Sequence, residues 1–209
     1  MTVGGSCTVT RHIITISRQY GSGGREIGEK VAAALGYGYY DRELIRRAAQ
    51  DADISEDLVR EEGEGIMGKI SSLLSFGNSS AGAEEDSLPL GERIFLAEAR
   101  TIKQIAEEGP CVIIGHSADY FLADHPGLLN VYIHSDWEAR VARVMARNDL
   151  DERSAVARIK RIDRKRAAFY EQHTDQRWGK ASNYHLSLSS SSFGIDVTAD
   201  MIVAIAKKA

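Results

Sequence analysis

Cysteine is scarce in this 209-residue chain: the two present, Cys7 and Cys111, lie far apart and form no C-x-x-C pair. That excludes a disulfide framework and a thiolate zinc site, and it fits a reducing cytoplasm. The six histidines, at 12, 116, 125, 134, 173 and 185, make no H-x-H or H-E-x-x-H pattern. No tightly protein-held transition metal is therefore expected. No apolar run approaches the length of a membrane span, and Met1 to His12 is polar and glycine-containing, without the apolar centre of an export signal. A membrane is not an expected partner. Positive charge is not in excess either, since 26 Lys and Arg against 30 Asp and Glu leave a net charge of −4. This argues against general coating of nucleic acid. The 43% apolar content is enough to bury a core, and the length suits one domain with an insertion or two small lobes.

What is present starts at residue 13. Ile13 to Ile16 reads as a buried strand, Gly21-Ser22-Gly23-Gly24 breaks it, and an amphipathic segment begins near Arg25. Glycines let backbone N–H groups turn inward, and a helix start adds unpaired donors and a positive dipole end, so strand, glycine loop and helix together can cradle a phosphate. The same order also serves as a tight strand-to-helix connection. A P-loop reads G-x-x-x-x-G-K-[ST], its lysine reaching the phosphates and its hydroxyl holding magnesium. With Gly24-Arg25 laid on the Gly-Lys pair, Gln19 takes the place of the first glycine and Glu26 that of the hydroxyl residue. Arg25 can supply the charge.

Further along, Ile27, Val31, Ala34 and Leu35 recur at helical spacing up to Gly36, Gly38 to Tyr40 is a short extended piece, and a helix with Leu44, Ile45 and Ala48 follows Asp41-Arg42. Asp41 and Arg42 at a strand end suit a ligand site; a helix cap beside a solvated arginine has the same pattern. Asp53-Ile-Ser-Glu56 has the form of a capping box for a short helix through Arg60. Gly63 to Gly91, rich in glycine, serine and acidic residues, reads as a mobile insertion, either a clamp over an acceptor or a loop without a chemical role. A helix over Glu92 to Glu108, ended by Gly109-Pro110, precedes buried strands at Cys111 to Ile114 and Leu129 to Ile133. Ser135-Asp-Trp-Glu138 then opens a helix with Trp137, Val141, Val144 and Met145 inward. A second basic helix starts near Glu152, and ten of the 26 basic residues fall between Arg140 and Arg166. Tyr184 to Leu188 is the last strand, and Asp196 or Thr198 caps the last helix. Strands alternating with helices predict a parallel sheet covered on both faces.

Ser17-Arg-Gln-Tyr-Gly-Ser-Gly-Gly-Arg-Glu-Ile-Gly28 followed by Tyr39-Tyr40-Asp41-Arg42-Glu43-Leu44-Ile45 resembles the cytidylate kinase-like family of bacterial P-loop proteins. The resemblance resumes at Gly109-Pro-Cys-Val-Ile-Ile-Gly115 with Ala118-Asp119-Tyr120, and again at Trp178-Gly179 and Asn183-Tyr184. It implies a three-layer α/β fold of the P-loop nucleoside kinase type, with the first strand central and a helical lid. The expected organisation is a flexible tail over 1–12 and one domain over 13–209, carrying a mobile acceptor-side insertion at 53–91 and a basic lid at 140–180. The implied activity is ATP-dependent phosphoryl transfer to a nucleoside monophosphate, CMP or dCMP, with Mg2+ carried by the nucleotide. Arg18, Gly21, Ser22, Gly23, Gly24, Arg25, Glu26 and Arg147 are the expected nucleotide-binding residues. Arg25, Arg161, Arg164 and Arg166 are expected to stabilise the transferring phosphoryl group, with Asp163 as an orienter or metal partner, although basic helices are commonly solvated surface.

Asp41, Arg42, His116 and Asp119 are the expected acceptor-side residues, Asp119 also reading as a cap or ion-pair member. Three positions depart from the family: arginine is usual where His116 stands, aspartate at His185 and asparagine at Ser189. A non-catalytic or differently specific nucleotide-binding protein of the same fold is the alternative these departures leave. Phe169, Tyr170, His173 and Trp178 among arginines can stack nucleic-acid bases, but their amphipathic spacing fits a lid or core face, so nucleic acid is not an expected partner. Ser187 to Ser192 is a low-complexity patch to which the pattern assigns no purpose.

Overall fold

The computed structural model describes residues 12–51 and 88–208. Except for His12 and for residues 88–91, the expected N-terminal tail and the expected 53–91 insertion lie outside the described residues, as do the capping box at Asp53 and the helix through Arg60.

Short runs of β-branched residues, buried on both sides, are the form a strand takes in a covered parallel sheet. Three such runs, β1 (Ile13–Arg18), β3 (Cys111–Ile114) and β4 (Leu128–His134), are flanked by the less buried edge strands β2 (Gly38–Tyr40) and β5 (Leu186–Ser189), in the order β2-β3-β1-β4-β5. Every pairing is parallel. The helices are α1 (Gly24–Leu35), α2 (Arg42–Asp51), α3 (Leu90–Glu108), α4 (Ala118–Phe121), α5 (Trp137–Asn148), α6 (Glu152–His173) and α7 (Ser190–Lys208).

Alternation along each strand divides the core in two. Ile14, Ile16, Ile114, Val131 and Ile133 meet Ile27 and Val31 of α1 and Ile202 of α7 on one face. Ile13, Ile113 and Leu128 meet Leu44 of α2 and Ile102 and Ile105 of α3 on the other. Full burial of each such aliphatic side chain is worth about 1.5–3 kcal/mol, so the sheet is a rigid floor. Because all strands run the same way, the segments leaving β1 to β5 gather at one edge, and β1 delivers the glycine loop to the middle of it.

A third, smaller core lies outside the sheet. Val141 and Val144 of α5 pack on Ala155 and Ile159 of α6, with Tyr20, Met145 and Leu150 against them. The basic helices therefore form a hairpin with its own apolar seam. Asp151 caps α6 by accepting the Ser154 N–H at 2.7 Å. The helix then continues unbroken to His173, where Phe169 and His173 meet Phe95 of α3 with ring centroids 6.1 and 4.5 Å apart. These rings are engaged within the protein rather than displayed for base stacking.

Three local expectations are corrected. Ser135 does not cap α5; Asp136 stands at the N-cap without a side-chain cap bond. The backbone amides there are taken up from elsewhere, Ser135 N–H by the Gln19 side chain at 3.1 Å and Asp136 N–H by Ser191 Oγ at 3.0 Å. Trp137 is 38% exposed rather than inward, its ring facing the Arg140 guanidinium and the Lys160 ammonium. The last helical stretch, Ser190–Lys208, is two helices joined across Gly194 (φ 77°, ψ 168°), so the final helix follows that glycine rather than being opened by Asp196 or Thr198. Thr198 donates its hydroxyl to the Gly194 carbonyl at 2.6 Å, and Asp196 pairs with Lys30 at 2.8 Å.

Candidate active site

The loop after β1 turns twice through the left-handed region, at Gly21 (φ 83°) and Gly23 (φ 79°), which glycine enters without steric cost. A Cβ on Gly21 would lie 3.0 Å from the Arg140 carbonyl oxygen and 2.9 Å from Val144, so α5 packs directly on the loop. Ser22 is fully buried and turns its hydroxyl inward to the Gln19 carbonyl at 2.9 Å. Four backbone groups in and beside the loop are held by side chains from outside it. Asp163 accepts the Tyr20 N–H at 2.8 Å, and Arg140 Nε donates to the Tyr20 carbonyl at 2.8 Å. Arg166 donates to the Arg18 carbonyl at 3.1 Å, and Ser190 to that of Ser22 at 2.6 Å.

Between this loop and the α5–α6 hairpin lies a cavity of about 360 Å³. Among the described residues six arginines line it, Arg18, Arg25, Arg143, Arg147, Arg158 and Arg166, together with Gly21, Gly23 and Gly24, and no carboxylate does. Six cations held around glycine backbone define a site for a highly charged anion. Burial, reinforced by the charge of Arg166, lowers the Arg18 pKa to about 9, which leaves it protonated at neutral pH. Partial burial also works against the charge on Arg25, but Asp41 overrides it and raises the Arg25 pKa. Arg25 Nε lies 2.5 Å from Asp41 Oδ2, and Arg18 Nη2 lies 3.9 Å from Oδ1. Asp41 is thus the internal counter-ion of the site. Arg158 Nε is buried with no hydrogen-bond partner among the described residues, a donor left open at the cavity wall. Two shallower grooves adjoin and share Arg25 and Arg147, one toward Glu26 and Glu29 and the other toward Tyr39, Asp41 and Glu43.

A family model described as the cytidylate kinase-like family matches residues 13–192, from the first residue of β1 to the serine turn after β5. The chain belongs to the cytidylate kinase-like family. No curated protein matches it. Among solved structures it is similar to an uncharacterized protein from Eubacterium ventriosum ATCC 27560, with 22% identity, a TM-score of 0.70, and 94% of this chain and 99% of that one covered. It is also similar to shikimate kinase from Bacteroides thetaiotaomicron, with 14% identity, a TM-score of 0.54, and 93% and 98% covered. A third is shikimate kinase from Acinetobacter baumannii in complex with shikimate, with 11% identity, a TM-score of 0.50, and 94% and 93% covered. These likenesses show that the chain shares the fold of the two shikimate kinases.

Of the expected site residues, Arg18, Gly21, Gly23, Gly24, Arg25, Arg147 and Arg166 line one cavity. Other expected residues do not. Ser22 serves the loop's interior, and Glu26 lies on the adjoining groove, its carboxylate 3.2 Å from Arg143. Arg161 and Arg164 are exposed and line no part of the cavity. Arg158, Ile162 and Arg166 recur at four-residue intervals and share one face of α6, which puts 161 and 164 on its outer side. The buried Ile162 was the available signal, since its i±4 neighbours are the arginines that face inward. Asp163 takes the orienting role through Tyr20 and Arg140.

On the acceptor side, Asp41 is buried against Arg25, and Arg42 is the first residue of α2. His116 adopts a left-handed conformation (φ 57°), with Nδ1 2.8 Å from Oε1 of the fully buried Glu98. Asp119 is not a substrate-facing carboxylate: it lies beneath α6, accepting hydroxyls from Tyr170 at 2.7 Å and Ser17 at 3.2 Å. Burial raises its pKa above the usual aspartate range. His185 accepts the Asn130 N–H at 3.0 Å, and Ser189 bonds with Ser191 and Ser192. The serine patch gains a purpose at Ser190, which ties β5 to the glycine loop. Among the described residues no three His, Cys, Asp or Glu converge as a metal site.

Proposed function

We propose that this family member transfers the terminal phosphoryl group of ATP to a nucleoside monophosphate, with CMP and dCMP as the acceptors the family suggests. The observation that carries the proposal is the cavity in which, among the described residues, six arginines and the glycine-loop backbone converge without a carboxylate. In phosphoryl transfer an acceptor oxygen forms a bond to the γ-phosphorus as the bond to the β–γ bridging oxygen breaks, and ADP leaves. Little covalent help is needed, so fixed charge and positioning supply most of the rate.

In this reading the backbone of Gly21 to Gly24 and the start of α1 hold the donor phosphates. Arg25 takes the place of the P-loop lysine and exchanges Asp41 for phosphate. Arg158 and Arg166 approach from the α5–α6 hairpin, which acts as the lid, and Arg143 and Arg147 close the outer side. Magnesium, when bound, would shield charge between the phosphates. The Asp163 carboxylate is held by the Tyr20 N–H and Arg140, and that of Asp41 by Arg25, so the ion would arrive with the nucleotide. Asp41 and His116 face the acceptor.

The test is a coupled transfer assay with ATP and magnesium against CMP, dCMP, UMP, AMP and GMP, with Arg25→Ala alongside. Turnover with a pyrimidine monophosphate, reduced about 100-fold or more in the variant, is the expected result. Unchanged turnover and ATP affinity in Arg25→Ala would remove the donor-site assignment. Bound ATP with no transfer to any acceptor would favour a nucleotide-binding role without catalysis.

A further inference from the structure

We propose that Arg140 and Asp163 are positioning residues through which the α5–α6 hairpin sets the shape of the phosphate loop, acting on the backbone of Tyr20. The inference rests on the kinase reading for its consequence, but not for its geometry. Both polar backbone groups of Tyr20 are bound by the hairpin: its N–H is donated to Asp163 Oδ1 and its carbonyl accepts from Arg140 Nε, each at 2.8 Å. Arg140 Nη2 also pairs with Asp163 Oδ2, which closes the two side chains and the Tyr20 backbone, with the peptide units on either side of it, into a ring. The Tyr20 side chain is bound by the same hairpin. It packs on the Val141, Val144, Ala155 and Ile159 seam, and the guanidinium groups of Arg158 and Arg166 lie over its ring, 5.9 and 5.7 Å from the centroid.

Neither Arg140 nor Asp163 lines the arginine cavity, and Arg140 is 5% exposed. Their route to a bound anion is therefore through the loop. Tyr20 immediately precedes Gly21, whose positive φ starts the turn that aims the following amides. Fixing the Tyr20 peptide on both sides fixes the base of that turn. Because α5 and α6 share a seam, they move as one body, and any motion of the hairpin off the loop breaks the Tyr20 contacts together. The phosphate cradle is then assembled only while the lid is docked. By linkage, an anion that favours the assembled loop favours the docked lid to the same extent.

The experiment compares the full-length protein with Asp163→Ala, Asp163→Asn and Arg140→Lys by amide hydrogen exchange, ATP titration calorimetry and thermal melting. Asp163→Ala is expected to speed exchange over residues 19–24 by about tenfold or more, with β1 and the interior of α1 at wild-type rates, and to weaken ATP binding about tenfold. Asp163→Asn keeps an acceptor for the Tyr20 N–H and should recover most of both losses. Arg140→Lys cannot serve the Tyr20 carbonyl and Asp163 together and should fall between. If Asp163→Ala does not fold, the other two variants carry the same comparison. Loop exchange at the wild-type rate, or acceleration spread evenly over the whole chain, would overturn the proposal. A wild-type protein that binds no ATP would overturn the kinase reading alone, because the exchange measurement needs no nucleotide.

Discussion

Substituting Gly115 by alanine should disarm the phosphate site from a position that does not line it. Gly115 ends β3 with φ 74°, and a Cβ built there would lie 1.8 Å from Arg18 Nη1 and 3.0 Å from its Cζ. A side chain in the left-handed region costs about 1–2 kcal/mol in the folded state. The second effect is larger for function, because contacts closer than about 3.5 Å are repulsive and the guanidinium must shift by about 2 Å. Arg18 is half-buried and lines the cavity, so its guanidinium, the far end of a flexible side chain, makes that move by leaving its place beside Asp41. Loss of one charge-assisted contact of about 1.5–3 kcal/mol corresponds to about 10–100-fold in affinity. Urea unfolding and ATP calorimetry on wild type, Gly115→Ala, Arg18→Ala and the double variant separate the two effects. The expected result is a modest stability loss in both backgrounds, and an affinity loss that Gly115→Ala causes only when Arg18 is present. An equal affinity loss without Arg18, or none with it, would refute the steric argument.

Arg158→Ala and Arg166→Ala should each lower kcat/KM about 10-fold or more, whereas the exposed Arg161→Ala and Arg164→Ala stay within about twofold; steady-state kinetics on the four variants checks this division of α6. Ser190→Ala removes the hydroxyl that donates to the Ser22 and His134 carbonyls. It should cost about 1–2 kcal/mol in urea unfolding, with faster exchange at Ser22. Asp119 has a folded-state pKa above its unfolded one, so the stability tied to its neutral form is complete below the ordinary aspartate range and is lost as pH rises through the raised value. Urea midpoints for wild type and Asp119→Asn should therefore diverge in favour of the variant as pH rises through that window, and parallel curves would contradict it.

The central architecture was legible because it rests on local pattern. The branched apolar runs at Ile13, Cys111 and Leu129 appear as the strands they resemble, and Gly36 and Gly109 end the helices that lead into β2 and β3. The glycine loop was legible for the same reason. What escaped was the division of labour among like residues. Arg140 reads as a surface cation on a basic helix, yet a carbonyl and a carboxylate that are distant in sequence draw it into the interior. Arg161 and Arg158 are indistinguishable by composition, and only the packed face of α6 separates them. Ser190 sits in a repetitive stretch whose meaning lies in the Ser22 carbonyl, 168 positions earlier. Asp119 looks like a ligand-end carboxylate until the long helix α6 places Tyr170 on it. In each case the deciding partner comes from another part of the chain, and helical or strand periodicity carries no record of it.

Among the described residues the charge at the cavity is supplied by arginine alone, without a lysine or histidine in the lining. A guanidinium keeps its proton throughout the physiological range, and even the lowered value of Arg18 lies well above it. The pocket has no titration of its own near neutrality, so its response to acidity is borrowed from whatever occupies it. For a terminal phosphate, whose second proton leaves near pH 6, occupancy would follow the guest's ionisation while the host stays electrostatically constant.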